Sequence, residues 1–372
     1  MGVSYAMTLI GGGLNLFTMM LPNVIYFTFG SLLEIPTGIF GDRVSLKTSV
    51  RLGFFFWSLG TITYGIVPMT QISPIIGFVI AESLAALGNA FISGAFLALL
   101  MRTTNGNEQT VRDTEAKAKA YGGYVGLIAA ATTGFIVANL GVSFSWFLSG
   151  GISLLALIAL QLFMPDAMPF RQDSLNPLAG SIETFKSAFR FFQNNKRSTL
   201  LMLANSILEF SFQPINMYWS LLFNSRFGAE FTGLLWSGAN LFLSKGSSDA
   251  RKAKPGISIL NRSLLLVSAC ILLGLILDLI GFALGLAAMF VAHEYFRGKI
   301  RPVYNANLTK GIEEGYTATA ISLAEAIVSM SRVAGLLFFG FVAVSTNIET
   351  AWLTASVTML LAVYLFKRAE RS

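Results

Sequence analysis

The chain has 372 residues, of which 54% are hydrophobic and only 12% charged, with a formal net charge of +7. Soluble domains carry about twice that share of charge, so this composition and a mean hydropathy of +0.66 exclude a soluble protein and point to a polytopic membrane protein. One cysteine, Cys270, and one histidine, His293, exclude an internal disulfide framework and a histidine-rich metal site.

Apolar runs of about 20 residues, the length that carries a helix across a ~30 Å hydrocarbon core, recur along the chain. Strand alternation with period 2 is absent, which argues against a barrel. The runs predict helices at 17–40, 52–71, 75–101, 120–140, 144–164, 199–223, 230–244, 258–277, 279–297, 316–340 and 349–366. The opening "MGVSYAMTLIGG" reads as one more helix with its first half missing, since twelve residues rise only about 18 Å. It lacks the basic flank and cleavage site of a signal peptide. Counting it as helix 1, the sequence predicts an all-α membrane protein of 12 transmembrane helices, the first truncated.

Basic residues set the orientation. With the loop at 41–51 placed in the cytoplasm, the inner loops and C-terminus hold 24 of the 26 Lys and Arg. Arg226 falls in an outer loop and Arg332 within a helix. This asymmetry predicts cytoplasmic termini and accounts for the positive charge without a nucleic-acid partner. The longest inner stretch, 165–198, divides the chain into an N-terminal half, 1–164, and a C-terminal half, 199–372. Within it "SIETFKSAFRFFQ" sets Ile182, Phe185, Phe189 and Phe192 on one face, the pattern of an amphipathic helix lying at the lipid interface.

Ionisable residues inside spanning helices are expensive and mark candidate sites. Glu34, Glu82, Glu209, Glu294 and Glu325 qualify, with Arg332 as the deep cation. Helix 7 carries a polar stripe of Asn205, Glu209, Gln213, Asn216 and Ser220 at helical spacing, with Pro214 able to bend it. Helix 4 has a sparser stripe in Glu82, Asn89 and Ser93. Helix 11 has Ser322, Glu325, Ser329 and Arg332, readable as a Glu–Arg network or as part of a pathway. Glu34 is expected to be buried against a neighbouring helix, neutral or hydrogen-bonded. Glu294 is expected to pair with Arg297 near the cytoplasmic end of helix 10, leaving His293 a polar helix-end residue. The spacings Gly122-x-x-x-Gly126 and Gly281-x-x-x-Gly285 predict close helix contacts.

"GIFGDRVSLK" at 38–47 resembles the loop between helices 2 and 3 of the Major Facilitator Superfamily (MFS), of the form G-x-x-x-D-R-x-G-R-K. Gly38, Asp42, Arg43 and Lys47 match, whereas Ser45 stands for the Gly and Leu46 for a basic residue. "GLNLF" with "EIPTG", and "ESLAALGNAFISGAFLALL" at 82–100, look like the drug-efflux-like bacterial branch. The resemblance implies two six-helix bundles related by a pseudo-two-fold axis, rocking to alternate access, and a cytoplasmic latch at Gly38, Asp42, Arg43 and Lys47. "SKGSSDARKAK" at 244–254 is a degenerate second copy. In that family helices 1, 4, 7 and 10 line the cavity, which implies a substrate or proton pathway along Glu82, Asn89, Asn205, Glu209, Gln213 and Asn216. Helix 5, "GGYVGLIAAATTGF", has the glycines of the antiporter signature but not its proline.

The expected function is secondary transport of a small molecule, coupled to protons or another ion and directed outward, by a monomer in the inner membrane. No cofactor or metal is implied, and no G-x-x-x-x-G-K-[ST] loop indicates ATP-driven transport. The alternatives are an uptake permease and a transporter-like sensor or scaffold without flux. A membrane enzyme would need a clustered acid, base or metal constellation, which the sequence lacks.

Overall fold

The computed structural model describes residues 2–43, 45–70, 72–103, 108–163, 186, 189–252, 256–308 and 317–372. These residues are helical almost throughout, without strands. In chain order the helices are α1 (Val3–Gly11), α2 (Leu21–Arg43), α3 (Leu46–Ile66), α4 (Pro74–Thr103), α5 (Glu108–Leu140) and α6 (Val142–Phe163). There follows the run Lys196–Lys252, which turns at Gly228 and so contains two helices, α7 (196–227) and α8 (229–252). The rest are α9 (Ile257–Leu279), α10 (Ala283–Leu308), α11 (Thr317–Ser345) and α12 (Ile348–Arg371). Gly228 breaks the helical run at a single residue because its φ of 81° is open to glycine and strained for other residues.

The chain divides into two compact units. Unit 1 is Met1–Gln172 with Gly228–Gly233, and unit 2 is Asp173–Phe227 with Leu234–Ser372. In unit 1, α3 packs along α4 and α6, and α2 along α4. In unit 2, α9 packs along α10 and α12. Each unit brings two helix backbones together at glycines. In unit 1 a Cβ on Gly88 of α4 would lie 2.6 Å from the Trp57 nitrogen and 2.8 Å from the Gly53 carbonyl oxygen of α3. In unit 2 a Cβ on Gly246 of α8 would collide with the Tyr295 carbonyl, and one on Gly298 of α10 with the Leu243 carbonyl. Without side chains at these points, the helices pack backbone to backbone.

Several helices run further than hydropathy indicates. α3 begins at Leu46 rather than 52, α5 at Glu108 rather than 120, and α8 continues to Lys252 rather than 244. In each case the extra turns carry Lys and Arg. Charge ends an apolar run but not a helix, because Lys, Arg and Glu are good helix formers. α10 likewise extends to Leu308, so Glu294 sits in mid-helix and not near its end. Of the two glycine spacings, the first marks no close helix contact among the described residues, whereas Gly285 of α10 lies closely against Leu277 of α9. Among the described residues nothing lies within 4 Å of a would-be Cβ on Gly122 or Gly126. Gly281, with φ 84°, forms the turn before α10, and Gly285 touches Phe282 and Leu277 beside that turn.

Seven of the described helices carry long enough apolar windows to cross a membrane on composition alone. On the middle segment, Phe192 is buried and Phe189 is 49% exposed, while Ile182 and Phe185 lie outside the described residues.

Candidate functional site

Five helices of unit 1 converge on Glu82. Tyr5 of α1 donates its hydroxyl hydrogen to Glu82 Oε1 at 2.5 Å. The same hydroxyl accepts from Asn23 Nδ2 of α2 at 2.7 Å. Tyr64 of α3 places its hydroxyl 3.3 Å from that of Tyr5. Its ring stacks on Trp146 of α6 at 4.5 Å and meets Phe78 of α4 at 5.4 Å. Trp146 Nε1 in turn donates to Thr8 Oγ1 at 2.6 Å. Glu82, Asn23, Tyr5, Tyr64 and Phe78 are all buried.

These contacts give Glu82 neutral donors only. Among the described residues no Lys, Arg or His is paired with it. A lone carboxylate held out of water carries a penalty of several kcal/mol, which a bound proton or a bound cation removes. Tyr hydroxyls suit both states, because each can donate to the carboxylate or accept from the carboxylic acid.

Unit 2 holds a different arrangement. Arg332 of α11 meets Glu209 of α7 at 3.0 Å and Glu325, two turns earlier on its own helix, at 3.9 Å. The polar stripe of α7 and the Glu–Arg network of α11 are therefore joined through Glu209. Gln213 Nε2 donates to the Glu209 carbonyl at 2.8 Å, and Gly335 brings α11 against the Phe210 carbonyl. That carbonyl is the one that the missing N–H of Pro214 leaves without its helical donor. Asn205 is buried beside the buried Tyr304 of α10. Asn216 is half-buried, and Asn89 of α4 is exposed. Arg332→Met leaves two carboxylates facing each other without their cation. Allowing for the partial exposure of the pair, we expect a loss of about 2 kcal/mol. It is read as a fall of ~2–4 °C in Tm, largely restored in the Glu209→Gln, Arg332→Met double variant.

Glu34, expected to be buried, is exposed. Its helix turns Thr37 towards α4, where the hydroxyl donates to the Ala90 carbonyl at 3.0 Å, and Glu34 is left exposed. In the loop motif, the side chains of Gly38, Asp42 and Arg43 lie outside the described residues, and Lys47 is buried. Both departures from the family pattern have structural roles. Ser45 caps α3, accepting from the Thr48 N–H at 3.2 Å, as a Ser at this position does well. Leu46 enters the core with Val50 and Ala95.

Several site residues were not apparent from sequence. Tyr5, Asn23, Tyr64 and Trp146 around Glu82 are isolated polar or aromatic residues on separate helices, and no spacing links them. Arg226 bridges Asp278 of α9 at 2.6 Å and Glu349 of α12 at 2.9 Å. His293, expected at a helix end, is fully buried beside Glu294, which pairs with Arg297 at 3.0 Å as expected.

The described residues form helices that carry buried ionisable clusters. No family model matches the sequence. It is 20% identical over 344 residues to the uncharacterized MFS-type transporter YxaM of Bacillus subtilis (strain 168), covering 90% of this chain and 83% of the relative. Among solved structures it is similar to a POT family transporter in complex with 5-aminolevulinic acid, with a TM-score of 0.76, 13% identity, and coverage of 99% and 93%. It is also similar to the inward-open xylose transporter XylE from E. coli, with a TM-score of 0.69, 12% identity, and coverage of 98% and 92%. The chain shares the fold of these transporters.

Proposed function

We propose that the chain is a secondary transporter that exports a small molecule from the cell in exchange for protons, with Glu82 as the proton- or cation-binding carboxyl. It acts in the inner membrane with both termini cytoplasmic, as the distribution of Lys and Arg supports. The observation that carries the reading is the contrast between the two candidate carboxylates. Glu209 already has Arg332 at 3.0 Å, so its charge is balanced and its role is to order α7 against α11. Among the described residues Glu82 is met by hydroxyl and amide groups, directly or through Tyr5, which leaves a place for a positive charge.

The aromatic walls beside Glu82, from Tyr64, Trp146 and Phe78, favour an amphipathic substrate, since flat rings attract both apolar groups and cations. Accumulation of amphipathic fluorescent cations in cells making the protein tests the direction. Export predicts less dye inside these cells than in cells with empty vector. More dye identifies an uptake permease, and equal dye across a broad panel supports a sensor or scaffold.

A further inference from the structure

We infer that His293 and Glu294 of α10 together form a binding site for one exchangeable proton, with Arg297 as the competing donor to Glu294. The imidazole is completely buried, and its Nδ1 lies against the Phe290 carbonyl oxygen. A carbonyl only accepts, so Nδ1 must carry the ring hydrogen. In the neutral ring Nε2 is then a bare lone pair, and it faces Glu294 Oε1 at 3.5 Å.

Two acceptors turned towards each other repel. A proton arriving from solvent forms an N–H or O–H bond between them and converts the repulsion into a hydrogen bond. Its departure restores the two lone pairs. The pair is also incompletely satisfied. Among the described residues His293 Nε2 and Glu294 Oε2 have no hydrogen-bond partner, although both side chains are almost wholly buried. Buried polar atoms in that state are uncommon and ask for an explanation.

The surroundings leave the exchange to this pair. From α7 the ring meets Phe212, whose other contact is the Arg297 guanidinium at 4.4 Å. Phe290 beside it packs on Trp219 and Phe223 of α7 and on Trp352 of α12. The ionisable groups that act on the imidazole are Glu294 and Arg297. Arg297 holds the same oxygen, Glu294 Oε1, at 3.0 Å, and its side chain is 26% exposed. Swinging towards Oε1 or towards solvent, it can displace the proton or admit it. This site lies within unit 2 and is separate from the Glu82 cluster.

Because the chain contains a single histidine, the test is unambiguous. The purified full-length protein, labelled with 15N-histidine in detergent, gives one imidazole spin system, followed from about pH 5 to 9, the range in which histidine ordinarily changes charge. We expect Nδ1 to keep its hydrogen throughout while the Nε2 signal shifts in one step. In Glu294→Gln that step should move by at least about one pH unit, the size of a strong charge coupling. If Glu294→Gln does not fold, Arg297→Gln must displace the same step. A Nε2 signal that does not change in the wild type, or a step unmoved in the folded variants, overturns the inference. The readout needs no substrate, so its outcome is independent of the reading of Glu82.

Discussion

Glu82→Gln is expected to lower transport at least tenfold while leaving expression and thermal stability close to wild type. The amide has the size of the carboxyl, and its carbonyl oxygen still accepts from Tyr5, whose hydroxyl lies 2.5 Å from Oε1. Packing against Tyr64, Trp146 and Phe78 is therefore kept. What the variant loses is the charge that a proton or cation cancels. Hydrogen bonds to charged groups contribute roughly 1.5–3 kcal/mol, which corresponds to about a ten- to hundredfold loss of occupancy, and an amide cannot cycle a proton at all. Tyr5→Phe keeps the carboxyl but removes its donor and should reduce transport less. Glu209→Gln should reduce it least, because Arg332 keeps Glu325 as a second partner. The check is initial rates in cells at equal protein levels. Wild-type rates in Glu82→Gln would remove Glu82 from the mechanism.

Gly298→Ala is expected to have the largest effect on stability. The added methyl would meet the Leu243 carbonyl and lie 3.0 Å from the Ser247 nitrogen. Both neighbours are backbone, so no side chain can turn aside, and α8 and α10 must separate along their length. Overpacking of this kind costs about 3 kcal/mol or more. Gly246→Ala attacks the same contact from the other helix, at the Tyr295 carbonyl, and should behave alike. Gly122→Ala is the counterpart, since nothing lies within 4 Å of its would-be Cβ. There, alanine should be neutral or stabilising by up to ~1 kcal/mol through its higher helix propensity. Thermal unfolding in detergent distinguishes the two outcomes. Equal losses at Gly298 and Gly122 would mean that glycine spacing, and not backbone approach, governs these helices.

That comparison shows why some of the structure was legible in the sequence and some was not. Hydropathy and the basic loops gave the helices, because crossing lipid imposes length and composition on each one separately. Helix contacts depend on pairs of helices. Gly53 with Gly88, and Gly246 with Gly298, are far apart in sequence and leave no spacing to find, whereas the conspicuous Gly122-x-x-x-Gly126 has no neighbour. The candidate sites divide in the same way. The helix 7 stripe was visible as a period along one helix. The partners of Glu82 come singly from α1, α2, α3 and α6, so only the fold assembles them.

Charge also misled where helix geometry was needed. Glu34 is an acidic residue in an apolar run, yet the helix presents Thr37 to α4 and leaves Glu34 exposed. His293 lies in mid-helix and not at a helix end, because α10 runs to Leu308, eleven positions beyond Arg297, where its apolar run stops. In the loop motif, Ser45 and Leu46 depart from the family pattern for reasons that belong to this chain. One caps α3 and the other fills the core beside Val50.

On the proposed reading a small molecule and a proton move through this chain in exchange, by way of Glu82. The most direct measurement uses purified protein in proteoliposomes with a pH-sensitive dye inside, challenged in turn with amphipathic cations. At least one compound is expected to drive proton movement in wild-type vesicles, and the same compound to drive none in Glu82→Gln vesicles. Compound-driven proton movement of equal size in both would contradict that reading.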